Sequence, residues 1–209
     1  MKRDFDREAS TWDENPERLR RGLAIADAMA AWLQLRGDET VLDYGTGTGV
    51  VALRLAPRVG QVLCADSSRG MLDVLEGKIA AAGLKNARTL LLDLEQASQP
   101  GLPTLDVLVS SMTLHHIADT AALARRVHTL LRPGGRIAVA DLDSEPGDFH
   151  WDNTGVAHFG FDRVHLEQVF RDAGFSSVAT TTATAMTKMT AAAVEKQFTI
   201  FLLTGCRAP

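Results

Sequence analysis

The pattern of apolar and polar positions near the start of the chain predicts one long helix. Asn15 followed by Pro16 is typical of a helix start, because asparagine caps the first turn and proline fits the first helical position. Gly37 is expected to end this helix. Between these limits, apolar residues recur every three or four positions, at Leu19, Leu23, Ala26, Ala30 and Leu33.

From residue 40 onward, apolar runs of strand length alternate with stretches of helical periodicity. This alternation predicts an α/β fold, in which a mostly parallel sheet is covered by helices on both faces. The last two strands have no helix between them, which indicates a closing antiparallel strand. The predicted strands are residues 40–44, 61–65, 87–92, 105–110, 136–140, 177–186 and 197–204, and the later helices are residues 50–56, 68–82, 120–131 and 162–173.

No internal repeat or linker-like stretch divides the chain, so residues 1–209 are predicted to form a single domain. Residues 1–15 combine charges with Phe5 and Trp12, and we expect a mobile N-terminal arm or lid there. In sheets of this kind, ligands bind beyond the carboxyl ends of the strands. We therefore expect the chemistry in the loops that follow the first five strands.

The composition excludes several classes of protein. The chain is 45% hydrophobic with a net charge of −4, which suits one globular core and argues against a nucleic-acid partner, because such binders usually have a basic face. No apolar run approaches the roughly 20 residues of a membrane-spanning helix, and Asp4 and Asp6 stand where a signal peptide is apolar. Cys64 and Cys206 form neither a disulfide framework nor a metal-ligand spacing. We expect a cytoplasmic protein without a membrane partner, and the sequence leaves the oligomeric state open.

A glycine-rich turn from Asp43 to Gly49, with the sequence Asp-Tyr-Gly-Thr-Gly-Thr-Gly, joins the first strand to its helix. Glycines let the backbone turn sharply and let a ligand approach closely, and the helix that follows offers free N–H groups. A dinucleotide site would require a third glycine at position 50, where Val50 stands. The carboxylate of Asp43 would repel a pyrophosphate but suits a ligand that bears an ammonium group.

Two more acids stand at the ends of the next two predicted strands. Asp66 can accept both hydroxyls of a ribose, although a helix cap shared with Ser67 and Ser68 is an alternative. Asp93 and the backbone N–H of Leu94 can read the edge of an adenine. Three acids at three successive strand ends, the first opening a glycine-rich turn, are hard to assign to chance.

These motifs resemble those of class I S-adenosylmethionine-dependent methyltransferases, and the resemblance runs from about residue 10 to the C-terminus. It implies a Rossmann-like, doubly wound seven-stranded sheet of order 3-2-1-4-5-7-6 with strand 7 antiparallel. It also implies S-adenosyl-L-methionine as cofactor and S-adenosyl-L-homocysteine as product. The matching motifs are Val41-Leu42-Asp43-Tyr44-Gly45-Thr46-Gly47-Thr48-Gly49, Asp66, Asp93-Leu94 and Leu131-Arg132-Pro133-Gly134-Gly135.

The same resemblance implies roles at the methionine end of the cofactor. Gly45 and Gly47, with Thr46 between them, would line the methionine moiety, and Asp43 would lie near its amino group. The backbone at Ser110 would face the sulfonium.

At the nucleoside end, the resemblance implies that Asp66 holds the ribose, beside Ser67. Met71 would cover the adenine, and Asp93 with Leu94 would bind its edge.

The acceptor side offers two adjacent histidines and one acid. Methyl transfer from a sulfonium is an in-line displacement that depends on positioning, and an alcohol, phenol or thiol acceptor additionally benefits from a base. His115 and His116 follow the fourth strand, and Asp141 follows the fifth. Histidine is suited to act as a base near neutral pH, and this arrangement resembles small-molecule O-methyltransferases of natural-product pathways. These three residues are the catalytic candidates, and the alternative is that the histidines only shape the site.

The loop after Asp141 has about twenty residues and combines one tryptophan with several phenylalanines and histidines. This composition favours a substrate-binding wall, for which the candidates are His150, Trp151, His158 and Phe159. No spacing in the loop matches a metal motif, so no metal is expected, although Asp141, Asp143, His150 and His158 offer suitable ligand atoms. The charged run Arg18-Leu19-Arg20-Arg21 is interpreted as the solvated face of a helix.

The leading hypothesis is a methyltransferase that acts on an oxygen, nitrogen or sulfur atom of a small-molecule acceptor. Ser-Ser-Met-Thr follows the fourth strand, where many nucleic-acid amino-methyltransferases carry Asn/Asp-Pro-Pro-Tyr/Phe, so a polymer substrate is disfavoured. One alternative is an S-adenosylmethionine-binding protein without transferase activity, because binding and chemistry rest on different residues. A nicotinamide-dependent oxidoreductase is a weaker alternative because of Val50.

Overall fold

The computed structural model describes residues 3–95 and 101–209, so Met1 and Lys2 of the predicted arm lie outside the described residues. The helices are α1 (Phe5–Glu8), α2 (Pro16–Leu33), α3 (Val50–Leu55), α4 (Arg69–Ala81), α5 (Thr120–Leu130) and α6 (Arg163–Asp172), and 3₁₀ helices cover Ala9–Glu14, Ala56–Arg58 and Leu114–His116. The strands are β1 (Thr40–Tyr44), β2 (Gln61–Asp66), β3 (Ala87–Leu91), β4 (Leu105–Ser111), β5 (Leu131–Leu142), β6 (Phe175–Met189) and β7 (Glu195–Arg207).

Within the described residues, seven strands form one sheet in the order β3-β2-β1-β4-β5-β7-β6. Strands β1 to β5 pair in parallel, whereas β7 is antiparallel to both β5 and β6. The α/β, Rossmann-like doubly wound fold with its antiparallel strand 7 is therefore confirmed. Because the five parallel strands share one direction, their carboxyl ends meet at one edge of the sheet, where such folds bind ligands.

Apolar cores lie on both faces of the sheet and hold this edge in place. On one face, Ile25 of α2 and Leu55 of α3 pack against the strands, and on the other face Val127 of α5 and Phe170 of α6 do so. Each fully buried side chain of this size contributes about 1.5–3 kcal/mol. No helix in residues 3–95 or 101–209 has both the length and the apolar composition of a membrane span.

The first long helix begins where the sequence predicts and ends earlier. The side chain of Asn15 accepts hydrogen bonds from the backbone N–H groups of Glu17 and Arg18, and α2 starts at Pro16. Its end comes at Leu33, because Gln34 adopts a left-handed backbone with φ of 46°. The predicted end at Gly37 is therefore too late.

The last three strands are each several residues longer than predicted, because pairing with a neighbour continues where the alternation of the sequence fades. The antiparallel pairing of β6 and β7 extends to the pair of Lys188 with Lys196. Strand β5 begins at Leu131, which pairs with Leu105, rather than at residue 136. The extension of β6 matters for the site, since it brings Lys188 to the edge of the cavity described below.

Residues 3–15 of the predicted arm are folded and docked on the body of the protein. Asp6 accepts a hydrogen bond from the backbone N–H of Gly70 at 2.8 Å, and Asp13 forms an ion pair with Lys78 at 2.6 Å. Both contacts attach the arm to α4, beside the carboxyl edge of the sheet. Mobility of the arm stays a prediction.

Candidate active site

A cavity of about 650 Å³ opens at the carboxyl edge of the sheet. Its lining comes from the glycine-rich turn, the ends of β2 and β4, the N-terminal arm, the first turns of α2, the end of β6 and the loop around residue 150. Cavities that bind small molecules typically measure about 300–1,000 Å³. A cavity large enough for a small molecule therefore lies at the predicted location of the site.

The three glycines of the turn differ in what surrounds them. All three have a positive φ, which is 72° at Gly45, 53° at Gly47 and 89° at Gly49. A Cβ on Gly45 would lie 2.1 Å from Oγ1 of Thr113, and a Cβ on Gly49 would lie 2.2 Å from Cδ1 of Leu75. These two glycines therefore permit close packing of neighbouring elements. A Cβ on Gly47 would meet no atom within 4 Å, so Gly47 leaves open space for a ligand.

Asp43 is a buried acid at the end of β1. It is 1% exposed, and its Oδ2 accepts a hydrogen bond from Oγ1 of Thr46 at 2.8 Å. Burial raises the pKa of Asp43 to about 7; the hydrogen bond from Thr46 opposes this rise and the charge of Asp66 adds to it. A carboxyl group of this kind is suited to an ammonium group, because a nearby positive charge favours the ionised form.

Asp66, at the end of β2, joins the glycine turn to the start of α4. Its Oδ2 accepts from the backbone N–H of Gly47 at 2.8 Å, and its Oδ1 from that of Ser68 at 2.9 Å. The cap of α4 is Ser68 itself, whose Oγ accepts from the N–H of Met71, so Asp66 is not the helix cap. Burial raises the pKa of Asp66 against the opposing effect of these N–H groups. Asp66, Ser67 and Met71 all line the cavity.

The segment that follows β3 contributes Asp93 to the cavity, but not the side chain of Leu94. Asp93 is part of the lining, and its Oδ1 accepts from the backbone N–H of Glu95 at 2.9 Å. Leu94 is 2% exposed and packs in the apolar core, and its carbonyl accepts a hydrogen bond from Arg126. Of this pair of predicted residues, the structure places Asp93 in the cavity wall.

Ser110 lies behind the wall rather than in it. It is buried, and its Oγ donates to the carbonyl of Tyr44 at 2.8 Å, which joins β4 to β1. The wall is formed by the three residues that follow, Ser111, Met112 and Thr113. Within this segment, Met112 has a left-handed backbone with φ of 55°. The lining of the cavity therefore begins one residue after Ser110, and the expected role of the Ser110 backbone stays a prediction.

His115 and Asp141 form a buried pair at the acceptor side. Nδ1 of His115 lies 2.7 Å from Oδ1 of Asp141, and the backbone N–H of His115 donates to Oδ2 at 3.1 Å. Burial alone would raise the pKa of Asp141, but the charge and hydrogen bond of His115, with the N–H of Leu142, hold it below its ordinary value. Nε2 of His115 is buried without a hydrogen-bond partner among the described residues, and His115 lines the cavity.

His116 and His150 lie beside this pair, and both line the cavity. Nδ1 of His116 is 2.8 Å from the carbonyl of Gly155, so this nitrogen carries the proton and donates it. Burial, with the charge of His115, lowers the pKa of His116 to about 4 and that of His150 to about 3. Both rings are therefore neutral near pH 7. The ring centre of His150 is 5.1 Å from that of His115.

Two of the four predicted wall residues lie outside the cavity. His150 and Trp151 line it, whereas His158 and Phe159 do not. Nε2 of His158 is hydrogen-bonded to the carbonyl of Ile117, because the loop folds back and its backbone bonds to the segment before α5. Phe159 is 45% exposed. Among the described residues, no cluster of three or more histidines, cysteines or acids is arranged to hold a metal ion.

This arrangement fits the cofactor that the resemblance implies. The open space at Gly47 accepts a ligand where a Cβ would otherwise stand. Asp43 provides a carboxyl for an ammonium group, and Asp66 provides one for hydroxyl groups. The donor set of the cavity thus matches an amino acid joined to a nucleoside.

Comparison with known proteins gives the same family. A family model described as a methyltransferase domain matches residues 41–135. An uncharacterized methyltransferase of Schizosaccharomyces pombe is 32% identical over 152 residues, which are 66% of this chain and 54% of the relative. The fold is that of the YcgJ protein of Bacillus subtilis, with a TM-score of 0.73, 16% identity and coverage of 88% of this chain and 98% of that one. Together these comparisons support a class I S-adenosylmethionine-dependent methyltransferase.

Another relative of this chain is a ubiquinone biosynthesis O-methyltransferase of Acinetobacter baumannii. It is 25% identical over 145 residues, which are 68% of this chain and 61% of the relative. The chain spans about half the length of the first curated relatives that it matches, with 54% and 55% of their residues covered.

The class I motifs did not reveal the cations of this cavity. Arg18 and Arg21 of α2 line it, although the sequence suggested that this run forms a solvated face. Only Arg20 fits that interpretation among the three arginines, with a side chain 68% exposed. Lys188 of β6 also lines the cavity. A signal was present in the sequence, because residues 18 and 21 are three positions apart and share a helix face.

Proposed function

We propose that this chain transfers a methyl group from S-adenosyl-L-methionine to an oxygen, nitrogen or sulfur atom of a small-molecule acceptor. The observation that carries this proposal is the buried pair of His115 and Asp141 in the wall of the cavity that also holds the glycine-rich turn. When bound, S-adenosyl-L-methionine supplies an electrophilic methyl group on a sulfonium, and S-adenosyl-L-homocysteine remains after transfer.

The cofactor side of the cavity binds and orients. Asp43 holds an ammonium group, and Asp66 accepts hydrogen bonds from ribose hydroxyls while it fixes the backbone of Gly47. Met71 and Asp93 line the nucleoside end. Holding two reactants in line supplies a large part of the rate enhancement in a displacement of this kind.

On the acceptor side, His115 acts as the base for an acceptor that bears a proton. Nδ1 of His115 is committed to Asp141, so Nε2 carries the lone pair that receives the proton as the acceptor bonds to the methyl carbon. The carboxylate of Asp141 orients the ring and stabilises the imidazolium that forms. His116 donates its Nδ1 proton to the carbonyl of Gly155 and shapes the site. Its Nε2 is then a second nitrogen that can accept a hydrogen bond.

The name of the Acinetobacter baumannii relative supports a hydroxyl group as the acceptor, because that protein is an O-methyltransferase of ubiquinone biosynthesis. A base is of most use for a hydroxyl, whose proton must leave as the new bond forms. The His115–Asp141 pair supports the same choice from this chain's own residues.

Calorimetric titration with S-adenosyl-L-homocysteine tests the cofactor. We expect one site per chain with micromolar or tighter affinity, and no heat from NADH or NADPH. Asp66→Ala is expected to abolish this binding, because it removes both the ribose acceptor and the support of Gly47. Wild-type chain that does not bind S-adenosyl-L-homocysteine would contradict the proposal.

A turnover assay then separates a transferase from a binding protein. The chain is incubated with S-adenosyl-L-methionine and a panel of phenols, alcohols, amines and thiols, and the formation of S-adenosyl-L-homocysteine is measured. Formation that depends on one acceptor class supports transfer and identifies the atom. Tight cofactor binding without product from any class would favour the alternative of a binding protein without transferase activity.

A further inference from the structure

Two cations meet at the ring of Phe149 on the acceptor side of the cavity. The guanidinium carbon of Arg21 lies 5.5 Å from the centre of this ring, and Nζ of Lys188 lies 4.7 Å from it. Arg21 also donates to Sδ of Met186 at 3.5 Å, and Lys188 donates to the carbonyl of Phe149. All four residues line the cavity.

Neither cation forms an ion pair with a carboxylate in the described part of the chain. The charge of Asp141 acts to raise the pKa of Arg21, and the charge of Glu145 acts to raise that of Lys188, but both acids are engaged in other hydrogen bonds. Asp141 is bound to His115. Oε2 of Glu145 accepts the backbone N–H groups of residues 147, 148 and 149 at 2.9, 2.6 and 3.2 Å.

Burial and mutual repulsion act on both cations. Burial, followed by the charge of Arg18, lowers the pKa of Arg21 to about 10. Burial, followed by the charges of Arg21 and Arg18, lowers the pKa of Lys188. The face of the Phe149 ring offsets only part of this cost, because a cation–π contact does not replace a counter-ion.

Like charges without a counter-ion in a partly buried site are unfavourable, and a bound anion would relieve them through charge-assisted hydrogen bonds. We propose that Arg21 and Lys188 bind an anionic group of the acceptor, a carboxylate or a phosphate. This inference rests on the proposed transferase function and adds the charge class of its substrate. The acceptor is then a small anion that carries a methylatable atom.

The position of the two cations favours the acceptor over the cofactor. Phe149 is followed in the chain by His150, whose ring centre is 5.1 Å from that of the proposed base His115. An anion held at Phe149 therefore lies on the side of the base. The carboxylate of the cofactor is the other source of the same chemistry, so the experiment must distinguish the two.

The test compares matched anionic and neutral probes on the chain saturated with S-adenosyl-L-homocysteine. The pairs are 3,4-dihydroxybenzoate with catechol, and phenyl phosphate with phenol, and binding is measured by calorimetry. We expect at least one anion to bind about tenfold or more tightly than its neutral partner. In Arg21→Met and in Lys188→Met this preference should fall below about threefold, while the Kd for S-adenosyl-L-homocysteine stays within about twofold.

Arg20→Met is the matched control, because Arg20 lies on the same helix but is exposed and pairs with Glu17. It should keep the full preference for the anion. Equal binding of anion and neutral partner in both pairs, or no binding of either anion at about 10 mM, would overturn the inference. A loss of S-adenosyl-L-homocysteine affinity of tenfold or more in Arg21→Met would also overturn it, since the cations would then serve the cofactor. Only failure of the wild-type chain to bind S-adenosyl-L-homocysteine would overturn the proposed function as well.

Discussion

Nδ1 of His115 lies 2.7 Å from Oδ1 of Asp141, and these two side chains are 1% and 0% exposed. A carboxylate at this distance requires the proton on Nδ1, which leaves the lone pair on Nε2. That atom has no hydrogen-bond partner among the described residues, although it is buried. Buried polar atoms are rarely left unpaired, and one at a cavity wall is best explained by a ligand that supplies the partner.

Replacing the acid of this pair tests whether the histidine acts as a base. Asp141→Asn keeps the size of the side chain but removes the charge and the preference for a proton on Nδ1. We expect kcat to fall by about 10²–10⁴ with the acceptor found in the turnover screen, because general-base catalysis contributes an effect of this size. The Kd for S-adenosyl-L-homocysteine should change little, since Asp141 is on the acceptor side.

His158→Gln is the control for this variant. His158 belongs to the loop that follows Asp141 but does not line the cavity, and its Nε2 is hydrogen-bonded to the carbonyl of Ile117. Its kcat should stay close to that of the wild-type chain. If kcat/KM were unchanged in Asp141→Asn, His115→Ala and His116→Ala, acid–base catalysis would be wrong and positioning alone would account for the rate.

The raised pKa of Asp43 predicts that cofactor affinity depends on pH. The carboxyl titrates at about 7 in the free protein, and an ammonium group binds its ionised form. Affinity for S-adenosyl-L-homocysteine should therefore increase as the pH rises through 7, by about tenfold between pH 6 and pH 8. Binding at pH 6.5 should release a proton, which calorimetry in two buffers of different ionisation enthalpy measures.

Asp43→Asn provides the comparison for this pH dependence. The amide does not titrate, so its binding should be weaker above pH 7 and nearly independent of pH. If the variant kept the slope of the wild-type chain, another group would be responsible and the assignment to Asp43 would be wrong.

The sequence was sufficient for the fold and for the meeting of three acids at the cavity, because both are encoded locally. The change between helical and strand periodicity specifies the order of elements, and short loops leave few topologies for a parallel sheet. Asp43 is the second-last residue of β1, Asp66 is the last residue of β2, and Asp93 comes two residues after β3. Their meeting at one edge therefore follows from the shared direction of the strands.

The acceptor side was less predictable because it depends on contacts between distant parts of the chain. Arg21 meets Met186, which is 165 positions later, and the contact requires the full length of β6. Similarly, His158 leaves the cavity because its backbone N–H bonds to the carbonyl of His115. Neither relationship has a periodic signal in the sequence.

Gly47 is predicted to matter for the cofactor rather than for packing. Its backbone is left-handed, so alanine there costs about 1 kcal/mol of stability, and the added methyl group would enter the open space of the cavity. We expect Gly47→Ala to raise the Kd for S-adenosyl-L-homocysteine by about tenfold or more.

Gly83→Ala is the matched control, because Gly83 has φ of 64° and equally open surroundings but lies outside the cavity. It should lose similar stability in thermal unfolding and bind normally; equal affinity in both variants would show that Gly47 does not face the ligand.

The docked arm is predicted to act as a lid that the cofactor stabilises. Oδ1 of Asp6 accepts from Oγ of Ser68 at 2.6 Å and from the N–H of Gly70 at 2.8 Å, next to the cofactor-lining Ser67, while Phe5 lines the cavity itself. A ligand that fills the cavity adds contacts to the docked state only, so it should slow cleavage after Phe5 by chymotrypsin.

Asp6→Ala removes the anchor of the arm. It should speed both the cleavage by chymotrypsin and the dissociation of S-adenosyl-L-homocysteine, which stopped flow measures. Asp4→Ala serves as the control, because Asp4 caps α1. Cleavage at the same rate with and without S-adenosyl-L-homocysteine would show that the arm does not respond to the cofactor and is a fixed part of the wall.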